Sequence, residues 1–215
     1  MSSEQRDTSS LVIAIEGGIG AGKSRLARYI RANTETIVID EAESPLMQMY
    51  HEDRVKYAFA LQMDLLAQRV TALRSAHRIA SHGRSVVLDR SILGDVAFAR
   101  ANWCVGWLSA EEFRIYSEIY DELMMQIEPP HATLYLSVDP EEANRRAEER
   151  DGEAPPLTYQ RELARAHDHV LSDARSRGVR VTREPWGWYS PARYPTEADF
   201  LVTRFMKRIK GDLLG

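Results

Sequence analysis

A glycine-rich octet, Gly17-Gly18-Ile19-Gly20-Ala21-Gly22-Lys23-Ser24, follows directly on the short run Leu11 to Glu16. It meets the spacing glycine, four residues, glycine, lysine, serine. The pattern constrains the fold, because such a turn works only between a strand and a helix. The context agrees: Leu11 to Glu16 reads as a buried strand running into a tight turn, and Gly22 to Ala32 reads as a helix. Backbone N–H groups and the positive end of a helix then converge on one spot, as phosphate oxygens require. Gly17, Gly18, Ile19, Gly20, Ala21 and Gly22 would cradle the phosphates, Lys23 would reach the outer ones, and Ser24 would hold magnesium.

Four further β-rich stretches, Thr36 to Glu41, Ser85 to Asp89, Ala132 to Val138 and Val179 to Thr182, alternate with helical ones. That alternation implies an α/β protein with a five-stranded parallel sheet flanked by helices. Arg54 to Ala80 carries Tyr57, Leu61, Leu65, Leu66 and Val70 at helical spacing and reads as one long helix. Ser109-Ala110-Glu111-Glu112 has the spacing of a capping box, and the helix it opens should end before Pro129-Pro130. In Asp139-Pro140-Glu141-Glu142 the aspartate can cap, the proline suits the first turn, and the acids favour the positive helix end. After the break Asp151 to Pro156, Leu157 to Arg177 is helical again. The 215 residues suit one domain over 11–215, behind a polar tail at 1–10 that reads as frayed.

Composition removes several classes of function. A net charge of -4 gives no attraction to a polyanion, so nucleic acid is not an expected partner. Runs such as Leu11 to Ile15 and Trp103 to Leu108 fall far short of the roughly 20 apolar residues of a membrane span. The first ten residues lack the apolar core of a secretory signal, and the lone Cys104 rules out an internal disulfide, so the expected compartment is the cytoplasm. Cys104 itself reads as a small buried hydrophobe. The six histidines are scattered, and His167 and His169 fall on opposite faces of a helix, so no histidine metal site is expected. Glu184 to Pro195 gathers Trp186, Trp188, Tyr189 and Tyr194 and reads as an ordered loop packing aromatics on the sheet edge, with a ligand lid or partner contact as the alternative.

A phosphate loop alone does not choose among kinases, GTPases and motors. No Asn-Lys-x-Asp tetrapeptide is present to read guanine, and no second module stands ready to be moved, which favours a small-molecule kinase. Asp89 ends the third strand, where open α/β sheets place ligand-handling groups, and Arg90-Ser91 follow. Such an acid can hold magnesium while the arginine neutralises phosphoryl charge. Glu41 ends the second strand and could take a proton from an attacking hydroxyl.

In this order, the loop Glu16 to Ser24, Glu41, Tyr57 to Gln62 with Arg69 beyond, and Asp89-Arg90-Ser91 with Asp95 resemble the deoxynucleoside kinase family. These P-loop enzymes phosphorylate the 5′-hydroxyl of deoxynucleosides, and bacterial or phage-type members look most similar. The resemblance covers roughly residues 11 to 182. It implies Glu41 as the base and Arg90 as its orienting, charge-stabilising neighbour, with Asp89 helping to hold magnesium. It places Tyr50 on the sugar 3′-hydroxyl and Gln62 on the base edge, with Arg69 and Asp95 behind it. A paired arginine and aspartate suit the polar edge of a purine or of cytosine, whereas family members that prefer thymidine tend to lack them. ATP and Mg2+ are implied, as is a homodimer through the long helices. Arg146 and Arg150 would clamp the phosphoryl group from a short lid near 145–156. Alternatively, they belong to a solvated helix face paired with Glu141, Glu142, Glu148 and Glu149. Other activities compatible with these residues are a thymidylate-kinase-type monophosphate kinase and a nucleotide-binding regulatory module without turnover.

Overall fold

Five consecutive residues of β1 (Val12–Glu16) are buried, and a strand without a wet face belongs in the middle of a parallel sheet. The computed structural model describes residues 10–186 and puts β1 there. With β2 (Ile37–Ile39), β3 (Val86–Asp89), β4 (Ala132–Ser137) and β5 (Arg180–Pro185) it forms one sheet in the order β2-β3-β1-β4-β5. Every pairing is parallel, and Ile15 sits beside Asp89 while Glu16 sits beside Tyr135.

Alternation along the strands splits the core in two. Val12, Val86 and Leu88 face a cluster built on α3 (Arg54–Ala80), which supplies Leu61, Leu65, Leu66 and Leu73. Ile13, Ile15 and Val87 face the other way, toward Leu26 and Ile30 of α1 (Lys23–Asn33) and toward Leu136 and Trp186. Trp186 is buried at the end of β5, in agreement with aromatic packing at the sheet edge. Trp188, Tyr189, Tyr194 and the tail at 1–9 lie outside the described residues.

The helices begin where their caps demand. Asp53 accepts from the Lys56 amide at the head of α3. Ser109 and Glu112 close a reciprocal capping box on α5 (Ala110–Gln126). Asp139 accepts from the amides of Glu141 and Glu142 to open α6 (Pro140–Asp151), and α7 (Leu157–Ser176) follows five residues later. Two helices lack a sequence signal: the short α2 (Leu46–Glu52) and α4 (Ile92–Cys104). In α4, Leu93, Asp95, Ala97, Ala99 and Ala101 are all buried, so no polar face marks its period.

Two boundaries and one burial depart from expectation. β2 ends at Ile39, so Glu41 stands beyond the strand in the loop toward α2. β5 runs on to Pro185, because pairing with β4 along one edge tolerates its polar residues. Cys104 is exposed rather than buried, since α4 ends there and the chain turns at Gly106 with positive φ. No helix among the described residues is long and apolar enough to cross a membrane.

The long helix tests this packing. Leu61 is 2% exposed and Val55 is 63% exposed on the same helix. Leu61→Ala should cost about 2–5 kcal/mol, whereas Val55→Ala should stay within about 0.5 kcal/mol. Urea denaturation midpoints measure both.

Candidate active site

The phosphate loop needs glycine at two positions. Gly20 has φ 79°, and a Cβ there would lie 2.0 Å from the Ala143 carbonyl oxygen of α6. Gly22 has φ 90° as the N-cap of α1 and lies against the Trp186 indole. The loop is tied from the far side by α7, where Gln160 Nε2 donates to the Ile19 carbonyl at 2.9 Å. Lys23 is buried and folds back over the loop, its Nζ donating to the Gly18 carbonyl at 3.3 Å. Burial, helped by the positive charge of Arg90, lowers its pKa to about 8.

Ser24 is hydrogen-bonded to the Asp89 carboxyl, whose pKa burial raises while Lys23 pulls it down. Asp89 Oδ1 is buried without a hydrogen-bond partner. A hydroxyl beside an oxygen left unsatisfied is a donor set for a hard divalent cation. These residues fit magnesium.

Arg90 is, among the described residues, the one non-glycine with positive φ, at 75°. Its Nε donates to Glu41 Oε1 at 2.5 Å, its Nη1 reaches the Gly17 carbonyl at 3.3 Å, and its guanidinium lies 4.2 Å from the Phe98 ring centre. Burial would push the Glu41 pKa up, but Arg90, Lys23 and Arg69 together hold it down at about 2. Glu41 is therefore ionised at every working pH, with 34% of its side chain exposed. Arg69 Nη2 stands 3.8 Å from the same Glu41 oxygen. Behind it, Arg69 pairs with Asp95, whose second oxygen accepts from the buried Tyr116 hydroxyl. Burial, then Arg90, lowers the Arg69 pKa to about 10, which leaves it charged.

All of this opens on one cleft of about 1240 Å³. Glu41, Arg90, Lys23, Ser24 and Asp89 meet at its phosphate end, with Ile19, Gly20 and Gly22. Gly17, Gly18 and Ala21 support the loop from behind and do not line the cleft. Tyr50, Gln62 and Arg69 line the other end, while Asp95, fully buried, stays in the wall. Tyr50 donates to Asn102 Oδ1 at 2.8 Å, and Gln62 keeps a buried Oε1 without a hydrogen-bond partner. Arg146 and Arg150 line the cleft as well. Arg146 pairs with Glu142 at 2.7 Å and reaches the Trp186 carbonyl at 3.4 Å, and Arg150 pairs with Asp151 at 2.5 Å. Arg145 reaches the cleft rim too, while pairing with Glu142 and Glu149 on an exposed face.

Several contributors escaped the sequence reading. Phe98 carries the Arg90 guanidinium and lies one helical turn beyond Asp95, a spacing that could have suggested it. Trp107 stacks on Tyr159 at 4.7 Å, and the Arg54 guanidinium lies 4.9 Å from the Trp107 ring centre, a contact between distant segments. Glu16 is a wholly buried carboxylate, for which an acid ending an apolar strand was the available signal. Away from the cleft, His77, Glu128 and His131 come together, against the expectation of scattered histidines. Their polarity is wrong for a metal. His131 Nδ1 accepts from the Val12 amide at 2.9 Å, and burial, then His77, lowers its pKa, so the neutral ring keeps its proton on Nε2.

Sheet, loop and cleft together define the P-loop kinase fold. A deoxyadenosine kinase of M. mycoides, solved with bound dATP, matches with a TM-score of 0.75 over 91% of this chain and 98% of that one, at 19% identity, a likeness of fold. A deoxyguanosine kinase of Dictyostelium discoideum is 31% identical over 183 residues, 82% of this chain and 64% of the relative. A deoxyguanosine kinase of Lactobacillus johnsonii is 29% identical over 184 residues, 81% of this chain and 75% of the relative. The deoxynucleoside kinase family pattern matches residues 13–184, and the chain belongs to that family.

Two outcomes follow from the buried charges. Breaking the Arg69 and Asp95 pair with Arg69→Leu or Asp95→Leu should cost about 3–5 kcal/mol, and the double replacement should cost less than either, as read by urea denaturation. Lys23, with a pKa of about 8 in the free protein, should take up a proton when a triphosphate binds above that pH. Triphosphate affinity should change little between about pH 7 and 8, where the terminal phosphate is already ionised, and weaken by up to about tenfold per pH unit above 8, measured by calorimetry in buffers of different ionisation heat.

Proposed function

We propose that this chain transfers the γ-phosphoryl group of ATP to the 5′-hydroxyl of a deoxynucleoside, with purine deoxynucleosides or deoxycytidine favoured over thymidine. The observation that carries the reading is the Glu41 and Arg90 pair. It stands between Lys23 on the phosphate loop and the polar pocket of Gln62 and Arg69. The names of the relatives, deoxyguanosine, deoxyadenosine and deoxyadenosine/deoxycytidine kinases, support it.

The nucleoside hydroxyl oxygen bonds to the γ-phosphorus, the bond to the β-phosphate oxygen breaks, and ADP leaves. The hydroxyl proton passes to Glu41. With a pKa of about 2, Glu41 is a weak base. It takes the proton only after the new P–O bond has made the hydroxyl strongly acidic, which suits a loose transition state. Arg90 keeps Glu41 aimed and, with Lys23, faces the charge that develops on the phosphoryl oxygens. Ser24 and Asp89 would hold magnesium, which when bound neutralises charge on the phosphate oxygens. Gln62 offers an amide donor and an unsatisfied acceptor, and Arg69 offers charged donors, a set that matches the mixed edges of adenine, guanine and cytosine. Tyr50, held by Asn102, stands ready for the sugar.

Arg146 and Arg150 act on the transferring group from a lid that includes the turn after α6, exchanging Glu142 and Asp151 for phosphate oxygens. Arg146→Ala and Arg150→Ala should then lower kcat by about 10³-fold while leaving nucleoside affinity within about twofold. If they serve only their helix, melting temperature alone will move. The reading as a whole is checked by product detection with ATP or GTP against four deoxynucleosides and their monophosphates. Lys23→Ala and Arg90→Ala should each lose about 10³-fold in turnover. Thymidine as the best acceptor, or a monophosphate in place of any nucleoside, would overturn it.

A further inference from the structure

The backbone at Arg90 sits in the left-handed region, which disfavours a residue with a side chain and persists only where neighbours hold it. Two consecutive residues of β1 do the holding. The Arg90 amide donates to the Ile15 carbonyl at 3.0 Å. The next amide, Ser91, donates to Glu16 Oε1 at 2.8 Å, and the Ser91 hydroxyl donates to the same oxygen at 2.7 Å. Gly94 N, one turn into α4, donates to it at 3.1 Å. Glu16 thus does from a neighbouring strand what a capping-box glutamate does within a helix: it accepts from the N-cap and N3 amides.

The carboxylate fits because residue 94 is glycine. A Cβ there would lie 2.0 Å from Glu16 Oε2 and 2.7 Å from its Cδ. Glu16 is 0% exposed, so it could make room only by leaving its three donors. The space at Gly94 and the acid at Glu16 are two halves of one device. Burial pushes the Glu16 carboxyl up, against the pull of Arg90 and Ser91. Oε1 accepts in either protonation state, so the geometry asks for an oxygen at that place rather than for a charge.

We infer that Glu16 is a positioning residue for phosphoryl transfer, and that with Gly94 it clamps the Asp89-Arg90-Ser91 turn so that the Arg90 guanidinium is aimed at Glu41. Residues 16 and 94 touch no ligand position in the cleft and act through Arg90. The role in catalysis rests on the function proposed for Arg90, but the clamp itself does not.

Two readouts separate these. The Arg90 Nε–H, held by Glu41, should exchange with solvent at least about tenfold more slowly than exposed arginine side chains in nitrogen-labelled protein. Glu16→Gln should keep that protection, while Glu16→Ala and Gly94→Ala should lose it. Alanine is a better helix former than glycine, so a loss at residue 94 comes from the displaced carboxylate. In kinetics, Gly94→Ala should lower kcat about tenfold or more with nucleoside dissociation constants within about twofold. The same change placed on Arg90→Ala should cost less than about twofold, because its intermediary is already gone. Protection retained in Gly94→Ala and Glu16→Ala, or equal kinetic losses with and without Arg90, would overturn the clamp. An inactive wild-type protein that still shows the protection pattern would overturn the kinase reading and leave the clamp standing.

Discussion

The cleft exists because its charges hold one another in a place where none would stay alone. Lys23, Arg69 and Arg90 surround Glu41, and burial works against every one of them. For Arg90 the pull of burial is overcome chiefly by Glu41 beside it. Removing any member leaves the others facing a low-dielectric wall with an unbalanced sign. Asp95 and Tyr116 hold Arg69 from behind, and its Nη2 is the nitrogen turned toward Glu41.

What local patterns can say, they said here. The glycine octet, the capping box at Ser109 and Glu112, the proline after Asp139 and the apolar stripe from Arg54 to Ala80 each depend on residues a few positions apart, and each structural element appears where its pattern lies. α4 was hidden for the opposite reason: most of it is buried, on more than one face, and it has no polar stripe to show. The acid at 41 was legible as an acid near a strand end, but the loop that carries it two residues past β2 was not.

The site divides along the same line. Lys23 and Ser24 follow from a local motif, whereas the bond from Ser91 to Glu16 joins residues 75 apart and the one from Arg90 to Glu41 joins residues 49 apart. The stack of Trp107 on Tyr159 and the packing of Trp186 against Gly22 likewise depend on how the sheet is wound. Arg146 and Glu142 show the limit of spacing: their separation by four fits an ion pair, and the same arginine also lines the cleft.

The left-handed backbone at residue 90 has a bearing on how such a chain could change over time. Glycine would occupy that turn without strain, and asparagine nearly so. A lineage drifting under selection for folding alone would therefore be drawn toward one of them, gaining stability with each step. Arginine at 90 therefore carries a conformational cost that glycine would not, and the substitution that relieves the backbone is the one that removes the guanidinium from beside Glu41.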